Sequence, residues 1–487
     1  PSLKRTTVSY PAIPPTHNHP MWMAWDFVVD VLLEKLTTLA PVGPNSPQAA
    51  AVLAEPLPFF DSQLQAFEVW LGMAQIDVTL SDAKIQPVQL PAVLHAILGA
   101  RYRAQALRLV QVFFLLGDWA VDCGLKVGMG PYFVQLLGAN QLHSHYLVTI
   151  WARILAFDPT FRNQVIKDSK LPFFGAMVHS GLTELRDTGS LTSLKTCTDS
   201  VMALFAISLL VDKHPQGQAV AARANIDAAL LAFVVTSSTA PVPPLIVKWA
   251  IIAMAKLWGA APATFLLDAT LAAWRALQLQ ALSSPHPQIR AVAVCALRST
   301  VSSLALAYLG ADGVLPLRTS TEGMPPLASG RSRKRKEFLA AIPGLDEPEA
   351  DLTRFFNERN VLANLLMDLL PAALFDSSSL VRHELVPLCL VVLLRFDDDL
   401  RFRGIIPHPH SVRDAFLSAT ATAATPRPGD RRSEAGDPVL LVAFTWHALF
   451  TLLADPFPKV VTKAVIVVRF LEYYAAALRD KLQVGGG

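Results

Sequence analysis

Charge is what this sequence of 487 residues has least of: 17% are Asp, Glu, Lys or Arg, 42 Lys and Arg stand against 39 Asp and Glu, and the formal net charge is +3. A disordered chain needs low hydrophobicity with high net charge, and a hydrophobic content of 52% excludes it. Binding a polyanion needs positive charge gathered on one face or run. So small an excess over the whole length supplies none in bulk, and no nucleic acid is expected as a partner. Cysteine is also scarce. Cys123, Cys197, Cys295 and Cys389 are widely spaced, with no Cys-x-x-Cys pair. That excludes a disulfide framework and a zinc ribbon and fits a reducing, cytoplasmic compartment. Position 1 is Pro, with no signal peptide before the first helix, so the chain reads as an internal piece of a longer cytosolic protein.

Catalytic signatures are missing too. No Gly-x-x-x-x-Gly-Lys-Ser/Thr loop, Gly-x-Ser-x-Gly elbow, His-Glu-x-x-His pair or Gly-x-Gly-x-x-Gly turn occurs. The acidic residues are scattered, without a pair whose surroundings would set one as acid and the other as base. His17/His19, His143/His145 and His408/His410 are His-x-His pairs, but on a helix that spacing sends the two rings to different sides. No Cys or carboxylate cluster accompanies them, so surface or capping roles are expected. The chain is therefore read as no enzyme, with no catalytic residue, metal or cofactor.

The mean hydropathy is +0.38. The longest charge-free run, Pro438 to Ala454 between Asp437 and Asp455, falls short of the roughly 20 residues a spanning helix needs. It reads as a buried helix, and no integral membrane segment is expected.

What is present is helix. Apolar residues recur at three and four spacing, as in Leu107, Val110 and Phe114 or Leu147, Trp151 and Ile154. Trp22, Trp25, Trp70, Trp119, Trp151, Trp249 and Trp258 sit in such stripes and are expected in the core. In the second half a unit repeats. Pro244, Pro287, Ser379 and Pro458 each stand two residues before a β-branched residue that opens an apolar stripe. The stripes are Ile246, Trp249, Ala250, Ala253, Leu257; Ile289, Val292, Ala293, Ala296; Val381, Leu385, Leu388, Val392; and Val460, Ala464, Val467, Leu471. Proline is tolerated at a helix start because the first N–H groups have no intrahelical partner. Pro244 and Pro287 are 43 positions apart, within the HEAT range. The next two intervals are each about twice that, and each holds a stretch that looks inserted.

The fold class is thus all-α: a HEAT/armadillo-type helical-repeat solenoid with two inserted disordered loops. Its expected parts are an extended segment at 1–20, repeats over 21–309, a flexible basic and acidic insertion at 310–358, a repeat at 359–404, a low-complexity loop at 405–437, a terminal repeat at 438–480 and a flexible tail at 481–487. Arg331 to Lys336 has three readings: a nuclear-localisation-like patch, an anionic-membrane contact, or a solvated loop open to phosphorylation at Ser329 or Ser332. Ser433, after Arg431-Arg432, is a similar candidate phosphosite.

Particular residues go further than the repeat. Pro14-Pro15-Thr16, Met21-Trp22-Met23-Ala24-Trp25-Asp26, Pro58-Phe59-Phe60, Val69-Trp70-Leu71, Gln89-Leu90-Pro91-Ala92-Val93-Leu94 and Leu116-Gly117-Asp118-Trp119-Ala120-Val121 follow in order. So do Ile150-Trp151-Ala152, Lys167-Asp168 and Gly217-Gln218. This series resembles the helical-repeat region of the Raptor family, scaffold subunits of TOR complex 1, from about Pro11 to Tyr473. The 405–437 insertion falls where that family has a Ser-rich, phosphorylated loop; the 310–358 insertion departs from it. The resemblance implies a non-catalytic adaptor in nutrient response, cell growth and autophagy regulation. Its implied partners are the TOR kinase, Rag-type GTPases where present, and TOR substrates. Substrates are gripped mainly by a caspase-like domain not found in this sequence. It implies a cytoplasmic protein recruited to the lysosomal or vacuolar surface. Lys167, Asp168, Gln216, Gly217 and Gln218 are the expected partner face, a regional choice. The rival reading is a generic HEAT transport or assembly adaptor for peptides, which requires a contiguous charged groove.

Overall fold

The computed structural model describes residues 21–39, 58–76, 86–139, 143–191, 193–237, 239–258, 282–309, 363–414 and 438–484, and among these the regular structure is helical, with no strand. The chain divides into two compact units, Pro1–Phe174 and Gly175–Gly487.

The first unit contains α1 (Met21–Leu39), α2 (Pro58–Ile76), α3 (Leu90–Leu98), α4 (Arg103–Leu115), α5 (Asp118–Lys126), α6 (Gly130–Ala139), α7 (Ser144–Phe157) and α8 (Phe161–Lys167). Helices α2, α4 and α7 pack one on the next, with the shorter helices against their flanks. Phe67, Phe113, Phe114, Phe133 and Trp151 fill the space between them and are fully buried. The Trp151 indole N–H donates to the Phe133 carbonyl at 3.3 Å, satisfying the one polar group that its burial would otherwise strand. Gly124 lets α5 come close: a Cβ there would lie 2.6 Å from the Phe114 ring.

The second unit follows α9 (Leu171–Thr188), in whose first turn the division falls, with α10 (Leu194–Val211), α11 (Pro215–Arg223), α12 (Ile226–Thr236) and α13 (Pro244–Trp258). Then come α14 (Pro287–Leu309), α15 (Ala363–Leu374), α16 (Ser379–Phe396), α17 (Asp398–Arg403), α18 (Pro438–Leu452) and α19 (Pro458–Val484). The four turn residues of the repeat are the first residues of α13, α14, α16 and α19. These helices form a row, each packed on the next, with α10 before them and with α12 and α18 as second helices of a pair. The stripe residues are buried at every position except Trp249 and Val292, which are half-buried.

Ion pairs lock the row at its turns. Arg290, three residues into α14, holds Asp376, three residues before the start of α16, through two bonds of 2.7 and 2.9 Å. The same step recurs from Arg382 to Asp455, at 2.6 and 3.3 Å. Each carboxylate also accepts a turn amide, from Ser378 and from Phe457, both at 2.8 Å. Burial alone would raise both carboxyls, but the arginine and amide hydrogen bonds outweigh it and hold both below the usual carboxylate range.

Several expectations change. Trp25 is 40% exposed and so is not core; Trp70 and Trp119 are half-buried, and the side chains of Trp22 and Trp258 lie outside the description. The run from Pro438 forms α18, which packs on α16 and α19 with Leu441, Trp446 and Leu449 buried. Among the described residues α10 is long and apolar enough to cross a membrane, half of it buried among its neighbours, and α11 with α12, bent by 71°, reaches that only if taken together. Residues 409–414 are helical within the stretch expected as a loop, and α19 runs past 480 to Val484 because no helix breaker precedes Gly485. Segments 1–20, 310–358 and 415–437, with Ser329, Ser332 and Ser433, lie outside the described residues.

Candidate partner-binding surface

Of the five residues expected on a partner face, three are accessible. Lys167 ends α8 and Asp168 caps it, the Asp168 N–H donating to the Gln164 carbonyl at 3.0 Å; both side chains are exposed, as is Gln216 at the start of α11. Gly217 and Gln218 are buried, which corrects their assignment. The Gly217 N–H donates to His214 Nδ1 at 3.0 Å, closing the turn. Gln218 is 4% exposed and its amide donates to the carbonyls of Val211 and Lys256, each at 3.1 Å. It ties α11 to the ends of α10 and α13, a role no local sequence signal announces.

The outward side of the α13–α14–α16–α19 row is a mixed ridge. Lys248 Nζ donates to Gln288 Oε1 at 3.0 Å, and Trp249 meets Phe205 edge-on at 4.8 Å between ring centres. Further along, Glu384 lies between two cations, Arg298 at 3.2 Å and Lys463 at 3.4 Å, with His383 Nδ1 3.2 Å from Lys463 Nζ. This relay joins three successive helices. Leu245, Leu380 and Ile466 on the same helices are exposed. Elsewhere, exposed apolar side chains gather on α1 (Met23, Phe27, Leu33) and α2 (Val69, Met73, Ile76).

The reactive groups on this scaffold are held quiet. Burial pushes the thiols of Cys123, Cys197 and Cys295 up, and that of Cys389 up to about 12, so none is poised as a thiolate at neutral pH. His408 and His410 stack at 5.3 Å, and His408 Nδ1 accepts the His410 backbone N–H, as in a capping turn. Among the described residues, no group of three or more His, Cys, Asp or Glu is arranged to hold a metal.

Stacked helix pairs, turn-opened rows and inter-repeat ion pairs make this an all-α helical-repeat fold of the HEAT/armadillo type. In sequence the chain is similar, over part of its length, to several Raptor proteins. The chain is 34% identical over 308 residues to "Regulatory-associated protein of TOR 2" of Oryza sativa subsp. japonica, covering 63% of this chain and 21% of that protein. It is 33% identical over 301 residues to "Protein raptor homolog" of Dictyostelium discoideum, 60% of this chain and 17% of that one. It is 32% identical over 251 residues to "Target of rapamycin complex 1 subunit mip1" of Schizosaccharomyces pombe, 51% and 18%. The chain thus spans about a fifth of the length of these relatives. No protein-family model matches it. In fold it is similar to the crystal structure of Chaetomium thermophilum Raptor, with a TM-score of 0.62 and 23% identity over 98% of this chain and 35% of that one.

Proposed function

We propose that this chain is the helical-repeat part of a non-catalytic scaffold of TOR complex 1, docking on the TOR kinase and helping to bring substrates and Rag-type GTPases to it. The observation that carries this reading is the 34% identity over 308 residues with a regulatory-associated protein of TOR. The mechanism is positioning. A rigid row of helices fixes where its ligands sit, raising the effective concentration of a substrate near a kinase without chemistry of its own. Lys167 and Asp168 in the first unit and, separately, Gln216 in the second are the accessible residues among those proposed to meet a partner. Work in nutrient response, growth and autophagy regulation, in the cytoplasm with recruitment to the lysosomal or vacuolar surface, belongs to the same proposal. The ridge mixes leucines with charges that are largely paired, which disfavours the rival reading of a peptide adaptor with a contiguous charged groove.

Co-purification of the tagged full chain with the TOR kinase of its own cells tests the reading. TOR is expected to be retained. Its absence beside a chain shown by circular dichroism to be helical contradicts the proposal.

A further inference from the structure

The repeat turns of the second unit share a position that decides how one helix meets the next, and one turn fills it differently. Counted back from the first residue of each helix, the third position is Asp376 before α16, Asp455 before α19 and Ser284 before α14. The turns are otherwise built alike. Ser284 Oγ accepts the backbone N–H of His286, two residues on, at 3.3 Å, just as Asp376 accepts from Ser378 and Asp455 from Phe457. Arg290 donates to the Ser284 carbonyl at 2.7 Å, and Arg382, at the same place in the next helix, donates to the Asp376 carbonyl. Ser284 is therefore held as the aspartates are, with an uncharged hydroxyl where they carry a carboxylate.

The surroundings of that hydroxyl are cationic. Arg290 Nη1 lies against the carbonyls of Ser284 and Pro285, at 2.7 and 3.2 Å, while its Nε and Nη2 are taken by Asp376. From the preceding helix α13, Lys248 Nζ reaches the first turn of α14, where it meets the neutral amide of Gln288. Pro285 directly follows Ser284, and Ser283, Pro285 and His286 are exposed. The counterparts of Pro285 in the other two turns, Ser377 and Pro456, are exposed as well, so accessibility belongs to the turn as the repeat builds it. A hydroxyl followed by proline suits a kinase whose pocket offers no acceptor for an N–H at that place, since proline has none to strand.

We propose that Ser284 is a phosphorylation site for a proline-directed protein kinase, and that its phosphate supplies the anion that Asp376 and Asp455 supply at their own turns. Ser284 Oγ attacks the γ-phosphorus of a magnesium-bound nucleoside triphosphate. The Oγ–P bond forms as the bond from that phosphorus to the bridging oxygen breaks, the nucleoside diphosphate leaves, and the hydroxyl proton passes to the catalytic carboxylate of the kinase. The phosphate keeps the His286 amide and draws Lys248 Nζ away from Gln288, giving α13 and α14 a charged lock like those between α14 and α16 and between α16 and α19. Lysine serves here because Val247 stands where α14 and α16 carry Arg290 and Arg382. The inference stands independently of the likeness to Raptor.

Treatment of the purified full chain with a proline-directed kinase, read by peptide mass spectrometry beside a synthetic peptide of residues 279–291, tests the site. Chain and peptide are both expected to carry phosphate on Ser284, and S284A to carry none there. In thermal unfolding the phosphorylated chain is expected to melt about 2 °C above the unmodified one. S284D moves the midpoint the same way by less, and K248M removes most of the gain on phosphorylation. A peptide or a folded chain left unmodified at Ser284 overturns the proposal, as does a midpoint that the phosphate leaves unchanged or lowers, or a gain that survives K248M intact.

Discussion

Asp376 and Asp455 are single residues that decide how two repeats meet. Each is held by an arginine of the preceding repeat and by a turn amide of its own. Breaking one such half-buried pair strands its partner, so Arg382→Ala is expected to cost about 3 kcal/mol in urea unfolding of the chain. The pH dependence follows from the direction of the shifts. Both carboxyls titrate lower in the fold than unfolded, so their stabilisation is complete above the unfolded value near about pH 4 and is lost as pH falls through the folded value. The urea midpoint should drop below about pH 4, and by less in D376N/D455N, which has no carboxyls left to protonate there. Gln218 and Gln216 separate structure from surface in the same measurement. Gln218→Ala removes a buried bridge between two carbonyls and should cost about 2 kcal/mol, whereas exposed Gln216→Ala should stay within about 0.5 kcal/mol.

At the scale of the element, the starts of the repeat helices were legible because their chemistry is local. A proline or a capping serine, followed by a β-branched residue, marks a helix N-terminus wherever it occurs. Ser379 occupies the first helical position held by proline in α13, α14 and α19, and Ser378 before it is already extended, with φ −89° and ψ 125°. Ser379→Pro is therefore expected to leave the chain as stable or up to about 1 kcal/mol more stable, read as the thermal midpoint. The opposite change belongs to the contact between helices of the row: Ala296 on α14 is fully buried, and Ala296→Leu should cost about 2 kcal/mol. The ion-pair locks escaped the sequence although Asp376, Arg382 and Asp455 all stand in the repeat motif. Their pairings cross 86 and 73 positions, and only the recurrence of Arg three places after the start and Asp three places before the next could have found them. Helix α10 was not singled out because Lys195 and Asp199 break its charge-free run, although Asp199 is buried in the fold. Gln218 was misplaced because the carbonyls it serves lie on other helices.

For the whole molecule, composition and repeat spacing sufficed for the class. Helices buried between neighbours account for the 52% hydrophobic content. The partner surface was far less legible. A repeat array buries its stripes in a regular way that periodicity reports, whereas a docking face is whatever the pairing leaves exposed, and that is set by contacts between helices distant in sequence. Docking on TOR is the central claim, and titration of the purified full chain against purified TOR kinase, followed by light scattering, tests it most directly. Saturable binding is expected, weakened by K167E/D168K without loss of helical circular dichroism. A chain that shows the acid-dependent unfolding of intact repeats and yet binds no TOR would contradict the account.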